Sequence, residues 1–149
     1  MREINEKGLK IIKESEGLSL IPYICPGGEL SIGYGNRTHA HEFDIITEQQ
    51  AEEFLREDLE NTQTQLDIVL QYVPLNDNQW SALVSFVYNI GISNFIQSTL
   101  KRKLNQGDYL GAANEFTKWV YAKKRKLTGL LIRRGKERSL FLEDMNGNI

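Results

Sequence analysis

Glu16, Cys25 and Ser31 stand nine and six residues apart in the stretch EGLSLIPYICPGGELSIGYGNRT, residues 16–38. Together they offer a carboxylic acid, the chain's one thiol and a hydroxyl. A general acid must hold a proton at the working pH, and the partial negative charge at a helix C-terminus is one setting that favours this. A thiol of ordinary pKa, near 8.5, is only about 3% thiolate at pH 7. It brings little charge, yet it can orient a water or attack an electrophilic carbon directly. A serine hydroxyl donates one hydrogen bond and accepts two, which suits it to holding water. Each residue also has a bland reading: an exposed helix-end carboxyl, a small buried hydrophobe, and a strand serine facing solvent.

Several elements must position these groups. Ile4, Ile11 and Ile12 recur at helical spacing across residues 3–16, and Gly17 is a natural helix stop. Pro22, Pro26-Gly27-Gly28, Gly33 and Gly35 then mark turns around a short strand at residues 30–34, so residues 17–46 read as a β-rich lobe. Thr47 with Gln50 predicts a capping box. Behind it the apolar spacing predicts a connecting helix over 47–73, about 26 residues and roughly 40 Å long, ended by Pro74. Asn76 and Gln79 open a second box before WSALVSFVYNIG, which reads as a buried helix stopped by Gly91. Further helices are predicted over 93–105, 108–122 and 128–142. The basic run KKRK at 123–126 is read as a solvated loop, and the tail MNGNI is expected to fray. The helical lobe thus spans 76–142 together with the N-terminal helix, and all 149 residues form one catalytic domain of the mainly helical α+β class.

Composition narrows the function. The net charge is −2, but residues 1–75 carry 6 Lys/Arg against 14 Asp/Glu, whereas 76–149 carry 12 against 6. A basic C-terminal half suggests an anionic polymer as partner. Zinc-finger spacing and RNP-like aromatics are missing, which argues against nucleic acid. No apolar run reaches the roughly 18–20 residues of a membrane span, and the charged N-terminus lacks a secretory signal's apolar core. One cysteine cannot form an internal disulfide, consistent with synthesis in a reducing compartment. His39 and His41 with Glu42 and Asp44 suggest zinc, but four ligands are usual and no other histidine or cysteine completes a set, so a polar loop is expected and no metal.

Glutamate, eight residues, cysteine, five residues and serine, followed by IGYG, closely resembles the active-site segment of the phage-type lysozymes of glycoside hydrolase family 24. LNDNQWSALVSFVYNIG, NFIQSTLKRKLNQGDYLGAANEFTKW and GLLIRRGKERSLF extend the resemblance, in the family's order, over most of residues 9–142. The family pattern has aspartate or cysteine where Cys25 stands and more often threonine where Ser31 stands. The resemblance implies a two-lobe lysozyme-like fold, with a small β lobe and a larger helical lobe joined by a long helix. It implies hydrolysis of the β-1,4 bond between N-acetylmuramic acid and N-acetylglucosamine in peptidoglycan. Glu16 would be the general acid, with Cys25 and Ser31 on the opposite side of the bond.

Arg133 aligns with an arginine that approaches the catalytic glutamate in that family. Arg134 and Glu137, three apart on one helix, read instead as a structural pair. Asn36, Arg37, Tyr88, Asn89 and Ser98 map to substrate contacts, with Asn36 in place of a common histidine. The implied protein is a monomeric endolysin without cofactor. It would be held in the host cytoplasm until a holin admits it to the periplasm, without stable membrane insertion of its own. A lytic transglycosylase, needing one acid/base group, and a catalytically silent wall binder are the rival readings.

Overall fold

A computed structural model describes residues 2–122 and 125–147. Lys123, Lys124, Asn148 and Ile149, which belong to the KKRK and tail expectations, lie outside the described residues. The order of elements is α1 (Glu6–Glu16), β1 (Ser19–Ile24), β2 (Leu30–Gly33), α2 (Glu48–Val69), α3 (Asp77–Ile90), α4 (Ile92–Ile96), α5 (Thr99–Asn105), α6 (Tyr109–Glu115), a 3-10 turn (Phe116–Lys118), β3 (Tyr121–Ala122), β4 (Arg125–Lys126) and α7 (Thr128–Gly147). The described residues are mainly helical, with two small antiparallel strand pairs, β1–β2 and β3–β4. It divides into two compact units: Met1–Ile12 with Thr62–Ile149, and Lys13–Asn61.

The larger unit is built on α3. Asn76 and Gln79 close the predicted capping box, side chain to backbone in both directions. Every residue from Asn78 to Val87 is buried, so the helix is covered on all faces. Phe86 of this helix packs in a cluster with Phe116, Trp119 and Phe141, with ring centroids 5.0 Å apart for Phe86–Phe116 and 5.6 Å for Phe116–Phe141. Burying such rings supplies the largest apolar contributions in the unit. Gly8 on α1 allows close approach to α3: a Cβ there would fall 2.8 Å from the Ser81 Cβ. Asn5, which caps α1 by accepting from the Gly8 N–H, also donates to Asn78.

Several predicted boundaries move. The helix expected over 47–73 ends at Val69, because residues 70–73 tighten into turns in which Val73 N–H donates to Leu70 O. Val73 precedes Pro74, and a residue before proline is pushed out of the helical region. The helix expected over 93–105 breaks at Gln97–Ser98. There the Ser98 hydroxyl donates to Phe95 O and accepts from Lys101 N–H, capping α5. The helix expected over 108–122 stops at Glu115 and passes through the 3-10 turn into β3. In the other direction, α7 continues past 142 to Gly147, and Asn78 donates to both Glu143 and Asp144 along that extension.

The smaller unit holds the β1–β2 hairpin and the first part of α2. Thr47 and Gln50 form the predicted capping box. The loop after β2 packs on α2 through His39, whose ring stacks on Phe54 at 4.2 Å between centroids. Both His39 ring nitrogens face carboxylates, Nδ1 towards Glu42 and Nε2 towards Glu57 at 2.8 Å. The hydrogen bond to Glu42, then that to Glu57, raises the His39 pKa above 6.5. The stabilisation is therefore fully present below about pH 6.5 and fades as pH rises through the raised folded-state value. Comparing His39→Gln with the unaltered chain by thermal unfolding across pH should show a gap in Tm that is widest in mild acid and narrows as pH rises through the raised His39 value. A gap independent of pH would contradict this pairing.

Candidate active site

The β1–β2 hairpin begins with its turn. Gly28 N–H donates to Cys25 O and Cys25 N–H donates to Glu29 O, each at 2.8 Å. These bonds fix the register Ile24↔Leu30 and Tyr23↔Ser31, while the ladder is irregular between Ser19 and Tyr23. Pro22 lies in that irregular stretch; it has no N–H to give to a ladder. Directly opposed residues share a face of a sheet, as do positions two apart along a strand. Tyr23, Cys25 and Ser31 therefore sit together, and the Cys25 Sγ lies 3.1 Å from the Ser31 Oγ.

Ser31 is 1% exposed, so the solvent-facing reading of that serine does not hold. Ile32, Gly33 and Tyr34 are buried too, which covers both faces of β2 rather than giving the alternation expected of a half-exposed strand.

Glu16 ends α1 and is exposed. One turn earlier Lys13 pairs with Glu52 of α2 and lies 5.7 Å from the Tyr34 ring centre, which ties the end of α1 to this unit. The Lys13 hydrogen bond lowers the Glu52 pKa, more than offsetting desolvation. The Glu16 carboxylate reaches over Gly35, where a Cβ would meet Glu16 Oε2 at 3.6 Å and the Tyr23 hydroxyl at 4.0 Å. The carboxylate and the phenol thus converge above a backbone left bare.

Tyr23, which motif reading did not single out, lies in this cluster. Burial first, then the neighbouring charges of Cys25 and Glu16, push its pKa up, against a smaller opposing effect of its hydrogen bond with Ser31. The available signal was strand alternation, which puts position 23 on the face of position 25.

Asn36 and Arg37 follow the Gly35 turn. Asn36 is buried; its amide donates to both Asp58 oxygens at 3.1 Å and its carbonyl accepts from the His39 N–H. Its polar atoms thus hold the loop to α2. Burial raises the Asp58 pKa, with the Asn36 hydrogen bond pulling the other way. Arg37 is exposed and forms an ion pair with Glu29 at 3.4 Å.

The remaining predicted residues lie in the larger unit. Arg133 donates to Glu137 at 3.2 Å and to the Ser85 carbonyl at 2.9 Å. Arg134 donates to the other Glu137 oxygen at 2.7 Å, to Trp119 O and to the Asn89 side-chain oxygen, and its guanidinium stacks 5.0 Å from the Phe86 ring centre. The Arg134–Glu137 pairing read from sequence is present. Burial lowers the Arg134 pKa, partly offset by the charge of Glu137. Asn89 is exposed, Tyr88 is half-buried, and a cavity of about 400 Å³ lies beside Asn89, lined also by Trp119, Tyr121, Leu127 and Arg134. Ser98 is buried, its hydroxyl engaged in capping α5. Among the described residues, no group of three or more His, Cys, Asp or Glu side chains could hold a metal.

The helical unit and the Glu–Tyr–Cys–Ser cluster agree with a lysozyme-type glycoside hydrolase. Residues 13–137 match the model of the phage lysozyme family, and the chain belongs to that family. It is 46% identical over 142 residues to an endolysin of Acyrthosiphon pisum secondary endosymbiont phage 1, covering 93% of this chain and 97% of that protein. An endolysin of Bacillus phage B103 is 38% identical over 149 residues, and the chain spans only 56% of its length. The crystal structure of a mutant P22 lysozyme superposes with a TM-score of 0.87 at 36% identity, covering 95% of this chain and 99% of that one.

Gly35 has φ +94°, a conformation in which any L side chain is strained. Gly35→Ala is expected to lose about 1–2 kcal/mol of stability, read by thermal unfolding. Relief of that strain would shift the backbone beneath Glu16 and Tyr23, which the added methyl would otherwise meet only at ordinary contact distance, so clearing of a peptidoglycan suspension should slow. Unchanged stability and unchanged clearing together would contradict the close approach.

Proposed function

We propose that this chain is an endolysin that hydrolyses the β-1,4 bond between N-acetylmuramic acid and N-acetylglucosamine in bacterial peptidoglycan for host lysis. Glu16 gives its proton to the glycosidic oxygen as the bond to the anomeric carbon breaks. Cys25 and Ser31 act at the opposite side of that carbon. The observation that carries this reading is the 3.1 Å contact between the Cys25 sulfur and the buried Ser31 hydroxyl, in the same unit as Glu16.

The pair can act in two ways. As a thiolate, Cys25 with Ser31 holds a water for attack and takes its proton while Glu16 protonates the departing oxygen, which inverts the anomeric centre. Alternatively the thiolate sulfur bonds to the anomeric carbon as the bond to the Glu16-protonated oxygen breaks; a water that gives its proton to the Glu16 carboxylate then displaces the sulfur and releases the sugar, with retention. The anomeric form of the first product separates the two. Arg133 is assigned a supporting part by the family resemblance, with its guanidinium held by Ser85 and Glu137. Arg37, Tyr88 and Asn89 are assigned to sugar or peptide contacts by the family resemblance. The polar atoms of Asn36 and Ser98 act mainly within the fold, so any contribution to substrate binding is through the shape of their loops.

Among the described residues, no helix is long and apolar enough to cross a membrane. We assign the chain to the host cytoplasm until a holin admits it to the periplasm, acting as a monomer without cofactor.

Glu16→Gln keeps the shape and removes the acid, so lysis should fall by about 10²–10⁴-fold; near-normal turnover would refute its role. Carboxamidomethylation of Cys25 with iodoacetamide should sharply reduce lysis. Cys25→Asp, which keeps an acceptor there, should stay lytic and become insensitive to the reagent. Complete alkylation with full activity would remove Cys25 from the mechanism.

A further inference from the structure

Another cavity, of about 540 Å³, opens on the larger unit along α1 and α7. Ile11 and Leu140 line it as buried floor, while Ile132 stands at its edge, 55% exposed. Gly135 lines it too, on the same face of α7 as Ile132 and Ser139. Neither backbone nor packing requires that glycine. It is not at positive φ, and a Cβ built there would meet nothing within 4 Å among the described residues. Glycine is also among the poorest helix formers. What its bare backbone does is leave the trough open.

The rim is charged. Lys7, Lys10 and Lys136 line the trough with one carboxylate, Glu143, which pairs with Lys7. Lys10 and Lys136 lie one and two helical turns on from that pair, so the lining keeps a positive excess. The unit around it carries 15 Lys/Arg against 9 Asp/Glu. Leu131, next to Ile132, is exposed as well. Apolar side chains and ammonium groups that face water together fit an amphiphile with a negative head. The walls are helices whose backbone groups bond internally, so an extended peptide would find no ladder partner here.

We infer that this trough binds an anionic phospholipid at a bilayer surface. The upper part of an acyl chain lies on Ile11, Ile132 and Leu140 across Gly135, and the phosphate meets Lys10 and Lys136. Charge selects this occupant: the cytoplasmic leaflet is anionic, and each lysine beside it strengthens binding about fivefold. Such binding is peripheral and reversible, needs both the apolar and the cationic part, and involves no membrane span.

The test follows co-sedimentation of the full chain with vesicles at low ionic strength. Vesicles of equal parts phosphatidylglycerol and phosphatidylcholine are expected to carry the chain down; pure phosphatidylcholine vesicles are not. Lys10→Gln and Lys136→Gln should each weaken binding about fivefold. Gly135→Leu fills the trough and should weaken it about tenfold, while Tm holds or rises because leucine is the better helix former. Ile132→Ser removes an exposed wall outside the core and should also cost about tenfold. Attraction to the basic unit without the trough would respond to the lysines alone. Native affinity in both Gly135→Leu and Ile132→Ser, or equal binding to both kinds of vesicle, would overturn the proposal. So would failure to bind the anionic vesicles, which would leave the trough to an acidic peptide.

Discussion

The register of one short hairpin governs the site. Two backbone bonds at the Cys25–Gly28 turn set Tyr23 against Ser31 and place the Cys25 sulfur diagonally beside the Ser31 hydroxyl. A slip of one residue would turn these side chains to opposite faces of the sheet and separate sulfur from hydroxyl. The hairpin is kept in place from outside itself. Ile46 N–H donates to Leu20 O, Asn36 ties the following loop to Asp58 of α2, and the Lys13–Glu52 pair holds the end of α1. Chemistry is thereby placed on a scaffold whose parts constrain one another.

The helical unit carries a different kind of constraint. Glu137 is fully buried between Arg133 and Arg134, with Ser85 donating to it at 2.6 Å. Two cations and one anion out of water are costly unless each polar atom finds a partner. Here the Ser85 and Trp119 carbonyls and the Asn89 side chain take further guanidinium hydrogens. Removing one member of such a buried set typically costs about 3–5 kcal/mol. The cluster joins α7 to α3 and orients the exposed Asn89 amide beside its cavity.

Features written in local chemistry were legible from the sequence. The Thr47 and Asn76 capping boxes, the buried α3 and the Gly17 and Gly91 helix stops depend on residues a few positions apart. The Arg134–Glu137 pair followed from helical spacing. What escaped depends on neighbours distant along the chain or on competing local bonds. Ser98 breaks a helical pattern because its hydroxyl caps α5, and α2 stops short because the approach to Pro74 tightens the chain. Tyr23 gains its place only once the register sets it against Ser31. The hold of Asn36 on Asp58, 22 residues away, is likewise visible only in the fold.

The most direct test of the account is mass spectrometry of the fragments released from purified peptidoglycan. Hydrolysis across a Glu16–Cys25–Ser31 site predicts fragments ending in reducing N-acetylmuramic acid, with one water added per bond broken. Fragments ending in 1,6-anhydro-N-acetylmuramic acid would contradict it. They would mean that the sugar's own hydroxyl, and not a water or a sulfur held at the hairpin, completes the reaction.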